Sequence, residues 1–271
     1  MSVDVGGGRI ANDPPGYVCL RPLGSASAVS RLFLARRLVD GSDVVLRIFD
    51  RIVVSLRDRQ RFEREVAGLA ALADVPNVLP ILDADVRPNG QAFVVTAYCM
   101  AGSLHDHVSS MGRLSAVEAS RVGVKLAGAL AAMHRRGVVH RNVTPSNVLV
   151  DSAGEPVLTD FGLASLSVSG TYLPEPGREP TPFRAPEAYL PELMTPSADI
   201  FALGATLYVL LGGNDPQAAN LPQPPFGGEE LPDLPRVTWA LMSVLRRTMA
   251  IDARDRFADA TDLRAALAAA R

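Results

Sequence analysis

Two oxygen-bearing side chains, Asn147 and Asp160, stand out in the stretch VVHRNVTPSNVLVDSAGEPVLTDFGLAS, which runs from residue 138 to residue 165. Asn147 ends a loop, and Asp160 opens the tripeptide Asp-Phe-Gly after one predicted hairpin. Amide and carboxylate oxygens are ligands that Mg²⁺ takes together with nucleotide phosphates. This layout is typical of a phosphoryl-transfer site, except that the amide of Asn142 stands where the reaction needs a carboxylate.

The elements that must position this stretch fall into two parts, of which the first ends near residue 98. Short runs rich in β-branched and aromatic residues predict five strands there, in YVCLRPL, SRLFLARR, DVVLRIF, VLPILDA and AFVVTAY. One amphipathic helix interrupts the strands. Its apolar residues recur near helical spacing at Leu56, Phe62, Val66, Leu69 and Leu72. The first part is therefore predicted to be a sheet with one helix.

The second part, from residue 99 onward, has a helical pattern. Ser115 and Glu118 have the spacing of a capping box, and Gly137 is a stop signal, so they predict a long helix between them. Three further helices are predicted at 198–212, 237–249 and 260–269. The apolar segment from Asp199 is shorter than the roughly 20 residues that a bilayer requires, so we expect a buried core helix.

Composition excludes several classes of partner. The chain has 271 residues, of which 48% are hydrophobic, and this suits a folded globular unit with a substantial core. A net charge of −2 leaves no basic surface for nucleic acid, and no polybasic segment predicts membrane contact. The two cysteines lack metal-ligand spacing, and the first residues lack the pattern of a signal peptide. We expect a cytoplasmic setting.

The order of these elements resembles the protein-kinase fold, and most closely the bacterial Ser/Thr kinases of the eukaryotic-like type. The resemblance covers residues 17–269 and is carried by VVLR at 44–47, Glu65, HRNVTPSN at 140–147, DFG at 160–162, APE at 185–187, Asp199 and Arg256. It implies an α+β, two-lobed fold in which 1–16 form a flexible lead-in. An N-lobe at 17–98 would hold five antiparallel strands and one helix, and a mostly helical C-lobe would cover 99–271.

The resemblance also implies a set of ligand-binding positions. A nucleotide, if bound, would meet Gly24, Val45, Arg47, Glu65, Thr96, Ala97, Cys99 and Leu149. A metal ion, if bound, would meet Asn147 and Asp160. Neither ATP nor Mg²⁺ is a certain ligand, and the alternative is that Asn147 and Asp160 only hold the loops together by hydrogen bonds.

Four features depart from the catalytic pattern of the family. The glycine-rich loop keeps Gly24 but has alanine at 26 and 28, which weakens a phosphate cradle. Arg47 replaces a lysine that bridges the phosphates to Glu65, although the arginine could still pair with that glutamate. Asn142 replaces the catalytic aspartate, and Thr144 replaces a lysine that steadies the transferred group. We expect none of Arg47, Asn142 and Thr144 to be catalytically competent.

No lysine elsewhere in the chain can replace the lost ones. Lys125 is the only lysine among 27 basic residues, and it lies on the long predicted helix of the second part. The other family positions are implied to be architectural. His140 and Phe161 would stack with Leu69, Glu187 would pair with Arg256, and Asp199 would hold the backbone of the catalytic loop.

Three functions follow from the sequence. The first is a catalytically inactive kinase-like domain, a pseudokinase, that acts as a regulatory or docking module in Ser/Thr phosphosignalling. The second is a weakly active Mg²⁺-dependent nucleotide phosphotransferase. The third is a purely structural interaction domain with a closed nucleotide cleft.

The segment between Asp160 and Glu187 suggests partners for the first function. It carries several hydroxyl side chains, and we expect an active Ser/Thr kinase to phosphorylate Thr171, with Thr181 as second candidate. The modified loop would then recruit a phosphothreonine-binding protein of the forkhead-associated type. The alternative is that Thr181 hydrogen-bonds near Asn142 and that the other hydroxyls are ordinary loop residues.

Overall fold

The computed structural model of the chain describes residues 13–24, 30–53, 55–161, 183–189, 195–212 and 231–270. These residues divide into two compact units. The amino-terminal unit holds the described residues up to Ala73 together with Leu79–Tyr98. The carboxy-terminal unit holds Asp74–Val78 and the described residues from Cys99 onward.

The amino-terminal unit is built on the predicted five-stranded antiparallel sheet. Its strands are β1 (Tyr17–Leu23), β2 (Ser30–Arg37), β3 (Asp43–Ile52), β4 (Ile81–Val86) and β5 (Gln91–Ala97). They are hydrogen-bonded in the order β1-β2-β3-β5-β4. The sequence therefore predicted the number and sense of the strands correctly, while β4 begins three residues later than its apolar run.

One face of this sheet forms the core of the unit. Because side chains alternate along a strand, β1, β2, β3 and β5 contribute every second residue to that face. The buried set is Tyr17, Cys19, Phe33, Ala35, Val44, Leu46, Ile48, Phe93 and Val95. At the sheet edges, the Tyr17 hydroxyl donates to Asp83 Oδ2 at 2.7 Å and so ties β1 to β4. Burial, together with this carboxylate, raises the pKa of Tyr17 to about 12.

The helix α1 (Leu56–Ala70) packs against β4. Ser55 caps its start, since the Ser55 hydroxyl accepts a hydrogen bond from the Asp58 N–H at 3.1 Å. Phe62 and Leu69 are buried as their spacing predicts, but Leu56 is 73% exposed. Side chains of a helix lean toward its amino terminus, so the side chain of Leu56, in the first turn, extends toward the end of the helix.

The carboxy-terminal unit is mostly helical, as predicted. Its helices are α2 (Leu104–Met111), α3 (Ala116–Arg135), α4 (Pro196–Gly212), α5 (Trp239–Thr248) and α6 (Ala260–Ala269). A two-stranded hairpin of β6 (Val148–Val150) and β7 (Pro156–Leu158) lies between α3 and α4 in the sequence. Contacts of α3 with α4 and α6, and of α4 with α5, form the helical core.

The long helix α3 begins and ends at its sequence signals. The Ser115 hydroxyl accepts from the Glu118 N–H at 3.2 Å, and the Glu118 carboxylate accepts from the Ser115 N–H at 2.8 Å. This reciprocal pair satisfies two N–H groups that no helical carbonyl can reach. Beyond the helix, Gly137 adopts a φ of +74°, a conformation that glycine enters without steric cost.

The helix α4 is buried on all sides, as the apolar run from Asp199 predicts. Every residue from Ala198 to Leu211 is buried. Among the described residues, no helix combines the length and the apolar composition that crossing a lipid bilayer would require.

The segment Asp74–Val78 belongs to the carboxy-terminal unit, although the sequence places 17–98 together in the N-lobe. The Asn77 side-chain amide donates to the Pro156 carbonyl at 2.8 Å, and the Leu158 N–H donates to the Asn77 carbonyl at 2.8 Å. These two bonds fasten the segment to the β6–β7 hairpin. Tyr98 is the last residue of Leu79–Tyr98 in the amino-terminal unit, and Cys99 belongs to the carboxy-terminal unit.

A tight approach of α4 to the end of α5 generates a prediction about stability. A Cβ atom added at Gly204 would lie 2.7 Å from Thr248 Cγ2 and 2.9 Å from Met249 Cγ. We expect Gly204→Ala to lower the free energy of unfolding by about 1–3 kcal/mol through overpacking. Gly128 in α3 is the matched control, because its added Cβ would have no neighbour closer than 3.7 Å. Gly128→Ala should therefore stabilise the helix by about 0.5–1 kcal/mol. Urea unfolding of both variants measures the difference, and equal midpoints would contradict the close packing.

Candidate functional site

A buried carboxylate holds the backbone of the loop that contains Asn142. Asp199, at the start of α4, is 1% exposed. Its Oδ2 accepts a hydrogen bond from the His140 N–H at 2.7 Å, and its Oδ1 accepts one from the Arg141 N–H at 2.7 Å. His134 Nε2 of α3 lies 2.9 Å from Asp199 Oδ2. One side chain thus connects two helices to two consecutive peptide groups of the loop.

The geometry of this loop fixes where Asn142 is presented. Arg141 has a φ of +70°, a conformation that side-chain-bearing residues seldom adopt, and its bond to Asp199 holds it there. The next N–H, that of Asn142, donates to His140 Nδ1 at 3.3 Å. Asn142 itself is exposed. The loop therefore presents an amide, with no charge and no basic atom, at the place where the sequence lacks its carboxylate.

A hydrogen bond from α4 also holds this loop. The Thr206 hydroxyl, fully buried in α4, donates to the Val143 carbonyl at 3.1 Å. Sequence reasoning missed this role of Thr206. A hydroxyl within the apolar run of α4 was the available signal, because a buried polar group needs a hydrogen-bond partner. Thr144 is half-buried and begins the 3-10 turn Pro145–Asn147.

The two candidate metal ligands flank the β6–β7 hairpin. Asn147 immediately precedes β6, and Asp160 follows β7 with Thr159 in between. The Thr159 N–H donates a hydrogen bond to the Asn147 carbonyl at 3.0 Å. The side-chain nitrogen of Asn147 donates to the Asn142 carbonyl at 2.9 Å. Within the described part of the chain, the side-chain oxygen of Asn147 accepts no hydrogen bond. Asn147 thus holds the loop with one atom and offers a second atom to a ligand.

Asp160 occupies a constrained backbone position, with a φ of +63°. Phe161 behind it is buried and packs edge-on against His140, with ring centroids 6.1 Å apart. Burial lowers the pKa of His140, against the opposing charges of Asp199 and Asp160. The imidazole that packs against Phe161 is therefore neutral. Leu69, the third expected member of this column, lies in the amino-terminal unit.

In the amino-terminal unit, three of the expected nucleotide positions share one sheet face. Val45 and Thr96 are paired across β3 and β5, and Arg47 lies two residues along β3, so all three project to the same side. Ala97 pairs with Val44 on the adjacent position. Gly24 follows β1 with a φ of +67°, and a Cβ there would meet no atom within 4 Å, so the backbone conformation alone explains a glycine.

Arg47 and Glu65 do not form the ion pair that the sequence allowed. Arg47 Nη1 donates to the Ser30 hydroxyl at 3.1 Å. Glu65 Oε1 instead accepts from Arg61 Nε at 3.0 Å, one turn earlier in α1. Glu65 Oε2 is buried with no hydrogen-bond partner. The i,i+4 spacing of Arg61 and Glu65 is a sequence signal that could have predicted this competitor.

Cys99 and Leu149 lie in the carboxy-terminal unit. Cys99 is buried, and burial raises the pKa of its thiol. Its carbonyl accepts from the Gly102 N–H at 3.1 Å. Leu149 is half-buried in β6 and pairs with Val157 of β7.

A buried ion pair joins the 3-10 turn Pro186–Tyr189 to the segment that precedes α6. Arg256 has a fully buried side chain and donates from Nη1 and Nη2 to the two carboxylate oxygens of Glu187, at 2.6 and 2.8 Å. Arg256 also donates to the backbone carbonyls of Ser197, Ala250 and Ile251. This bidentate geometry satisfies the donors of a charge that burial would otherwise make costly. The pair therefore holds the turn at Glu187 against the segment that carries Arg256.

The two phosphorylation candidates, Thr171 and Thr181, lie outside the described residues, as do Gly162 and the alanines at 26 and 28. Of the segment between Asp160 and Glu187, the structure describes Phe161 and 183–187.

The chain is similar in sequence to known protein kinases. The Serine/threonine-protein kinase PknK of Mycobacterium bovis is 38% identical over 160 residues, which cover 57% of this chain and 14% of that protein. The Carbon catabolite-derepressing protein kinase of Candida albicans is 30% identical over 202 residues, which cover 74% of this chain and 32% of that protein. The match therefore spans a third or less of these relatives' length.

A solved structure shows the same fold. The crystal structure of the Mycobacterium tuberculosis PknI kinase domain superposes with a TM-score of 0.71 and 28% identity, and the match covers 95% of this chain and 96% of that one. The family model of the protein kinase domain matches residues 17–227. Because that match takes in well over half of the chain, this protein belongs to the protein kinase domain family.

Proposed function

We propose that this kinase-family domain is catalytically inactive and acts as a regulatory or docking module in Ser/Thr phosphosignalling. The observation that carries the proposal is Asn142, an exposed amide on a loop that Asp199 and Thr206 hold in a defined conformation. The scaffold of a catalytic loop is thus present, and the group that would accept or orient a substrate proton is absent from it.

An amide at Asn142 in place of a carboxylate should raise the activation barrier of phosphoryl transfer substantially. A positioned general base contributes typically about 10²–10⁴-fold to the rate, which corresponds to roughly 3–5 kcal/mol of barrier. Thr144 supplies no cation for the transferred group, and Arg47 is bonded to Ser30 rather than to Glu65. Kinases typically turn over at about 1–100 per second, so the remaining rate would be too slow for signalling.

The domain keeps residues that suit a nucleotide with a divalent cation. The free side-chain oxygen of Asn147 and the carboxylate of Asp160 are hard oxygen donors on adjacent ends of one hairpin. Together they would hold Mg²⁺, which when bound neutralises phosphate charge. Binding of ATP without transfer is therefore compatible with the proposed regulatory function.

A second function, a weakly active Mg²⁺-dependent nucleotide phosphotransferase, is favoured by the same two oxygen donors. The proton of the acceptor hydroxyl would pass to the substrate or to solvent, because Asn142 cannot accept it. A third, an interaction domain that binds no nucleotide, is favoured by the engagement of Glu65 with Arg61.

The proposed partners are an active Ser/Thr kinase and a phosphothreonine-binding protein of the forkhead-associated type. Phosphorylation of Thr171 would add about −1.5 to −2 charges to one hydroxyl. Phosphate oxygens are strong hydrogen-bond acceptors for arginine clusters of such binding domains. The sequence of the segment, rich in hydroxyl and proline residues, supports this choice.

We expect saturating Mg²⁺-ATP to raise the melting temperature of the domain. A ligand present at 100 times its Kd adds about 2.7 kcal/mol to the free energy of unfolding, which differential scanning fluorimetry detects readily. Asp160→Ala is the control, because it removes one metal ligand and should abolish the shift. An unchanged melting temperature for the unaltered chain would favour the interaction domain that binds no nucleotide.

We expect Asn142→Asp by itself not to restore ordinary kinase activity. The change restores one carboxylate, but Arg47 and Thr144 still withhold two parts of the phosphate-binding arrangement. Transfer of labelled γ-phosphate to a generic acceptor protein measures the rate for the unaltered chain and the variant. Turnover by the single variant near the usual range of about 1–100 per second would contradict the weight given to the other two positions.

We expect Thr171→Ala to abolish recruitment of the phosphothreonine-binding partner after treatment with an active kinase of the same cell. Thr181→Ala is the matched control and should leave most of the recruitment intact. Phosphosite mapping by mass spectrometry and a pull-down with a forkhead-associated domain give the two measurements. Equal recruitment by the Thr171→Ala variant would remove this residue from the proposal.

A further inference from the structure

Three consecutive backbone carbonyls of the loop that ends at Asn147 each accept a hydrogen bond. The Asn142 carbonyl accepts from the side-chain nitrogen of Asn147 at 2.9 Å. The Thr144 carbonyl accepts from the Asn147 N–H at 3.0 Å. The Val143 carbonyl, which lies between them, accepts from the Thr206 hydroxyl of α4 at 3.1 Å. Asn147 is thus bonded to the peptide groups on both sides of the one that Thr206 holds.

The hydroxyl of Thr206 bonds outside its own helix. Serine and threonine hydroxyls within a helix commonly bond to the carbonyl one turn earlier. Thr248 in α5 does so, since its hydroxyl donates to the Val244 carbonyl at 2.6 Å. Thr206 donates instead to a segment that is 63 residues away in the sequence. Both threonines are fully buried, so they differ in the partner of the hydroxyl and not in exposure.

Burial increases the importance of the bond between Thr206 and Val143. Neither residue has any exposed surface. A buried carbonyl that loses its donor costs more free energy than the hydrogen bond itself contributes, because water cannot replace the donor. Valine has the shape of threonine without the hydroxyl and would leave the Val143 carbonyl in that state. The loop would then shift toward conformations in which this carbonyl finds another donor.

Asp199 and Thr206, both on α4, hold different parts of the loop. Asp199 accepts hydrogen bonds from the N–H groups of His140 and Arg141, at the entry of the loop. Thr206 bonds farther along, among the carbonyls to which Asn147 is attached. The position of the candidate metal ligand therefore depends on Thr206 more directly than on Asp199.

The requirements of Mg²⁺ make small displacements of Asn147 important. The side-chain nitrogen of Asn147 is bonded to the Asn142 carbonyl, so the planar amide fixes the direction of its side-chain oxygen. Mg²⁺ demands nearly ideal octahedral geometry with short bonds to oxygen. A shift of the Val143 peptide group would move both neighbouring carbonyls, and with them the oxygen that Asn147 offers to a cation.

We propose that Thr206 is a positioning residue for Asn147, and that its hydroxyl sets the affinity of the loop for ATP bound together with Mg²⁺. This role rests on the proposed binding of ATP with a divalent cation, to which it adds a residue that touches neither the nucleotide nor the metal.

Isothermal titration calorimetry of the full chain with ATP, once with Mg²⁺ and once with EDTA, measures the metal-dependent part of the affinity. We expect Thr206→Val to weaken binding of Mg²⁺-ATP by about three- to tenfold, the population shift that loss of one hydrogen bond can cause. Binding of metal-free ATP should not change. Equal weakening with and without the metal would indicate general damage to the fold and would overturn the proposal.

Two further variants separate the hydroxyl from the packing of the side chain. Thr206→Ser keeps the hydroxyl and should bind Mg²⁺-ATP like the unaltered chain. Thr248→Val is the matched control, because it removes a buried hydroxyl whose acceptor lies in its own helix. It should also bind like the unaltered chain. A loss in Thr248→Val as large as that in Thr206→Val would contradict a specific role of Thr206.

Amide hydrogen exchange, resolved to single residues by NMR, tests the loop without any ligand. We expect the Asn147 N–H to exchange about three- to tenfold faster in Thr206→Val than in the unaltered chain, because its acceptor at Thr144 is no longer held in place. The same N–H should be unaffected in Thr248→Val. Unchanged exchange in Thr206→Val would overturn the positioning role, whatever the nucleotide does.

The calorimetry also distinguishes failure of this proposal from failure of nucleotide binding. If the unaltered chain does not bind Mg²⁺-ATP, nucleotide binding itself is contradicted and the role of Thr206 falls with it. If the unaltered chain and Thr206→Val bind equally, only the role of Thr206 is overturned. Should Thr206→Val not fold, Thr206→Ser and Thr206→Ala take its place: weaker binding by the alanine variant supports the proposal, and equal binding overturns it.

Discussion

The carboxylate of Asp199 is the constraint on which the carboxy-terminal unit depends most directly. It is buried at the start of α4, and it accepts hydrogen bonds from two consecutive loop N–H groups while contacting His134 of α3. A buried charge is tolerable only when its hydrogen-bonding capacity is used. The same bonds that satisfy Asp199 hold Arg141 in the left-handed region, and the course of the chain from there sets the position of Asn142.

The residues that hold this fold together are buried, whereas Asn142 is exposed. The contacts of Asp199, of Thr206 and of the Arg256–Glu187 pair are made by buried groups, whose loss would leave unpaired charges or donors in the core. Asn142 is exposed and supports none of these contacts through its side chain. An amide in place of a carboxylate there changes the chemistry that the loop offers at little cost in folding stability, because no buried contact depends on that side chain.

In the amino-terminal unit, two charged side chains have unexpected partners. Glu65 is paired within its own helix, and Arg87 is buried beside a neutral amide. The first placement leaves Glu65 Oε2 buried without a hydrogen-bond partner. Proteins place such unsatisfied groups where a ligand or partner completes them more often than in an inert core.

How much could be predicted from the sequence depends on the range of the interaction. The capping box of Ser115 and Glu118, the five strands and the buried helix α4 follow from neighbours within a few residues, and all were predicted. Motif order likewise predicted the family. The exposure of Leu56, the attachment of Asn77 to the β6–β7 hairpin and the burial of Arg87 were not predictable, because each depends on residues that meet only after folding.

In the candidate site, too, some properties follow from the residue types and others only from the tertiary structure. The residue types alone determined that Asn142 cannot act as a base and that Asn147 and Asp160 can offer oxygen ligands, since these are properties of the side chains themselves. Only the tertiary structure decided that Arg47 bonds to Ser30, that Glu65 remains with Arg61, and that Thr206 supports the loop from α4. Side chains with several donors or acceptors have several partners within reach, and packing of the surrounding backbone selects among them.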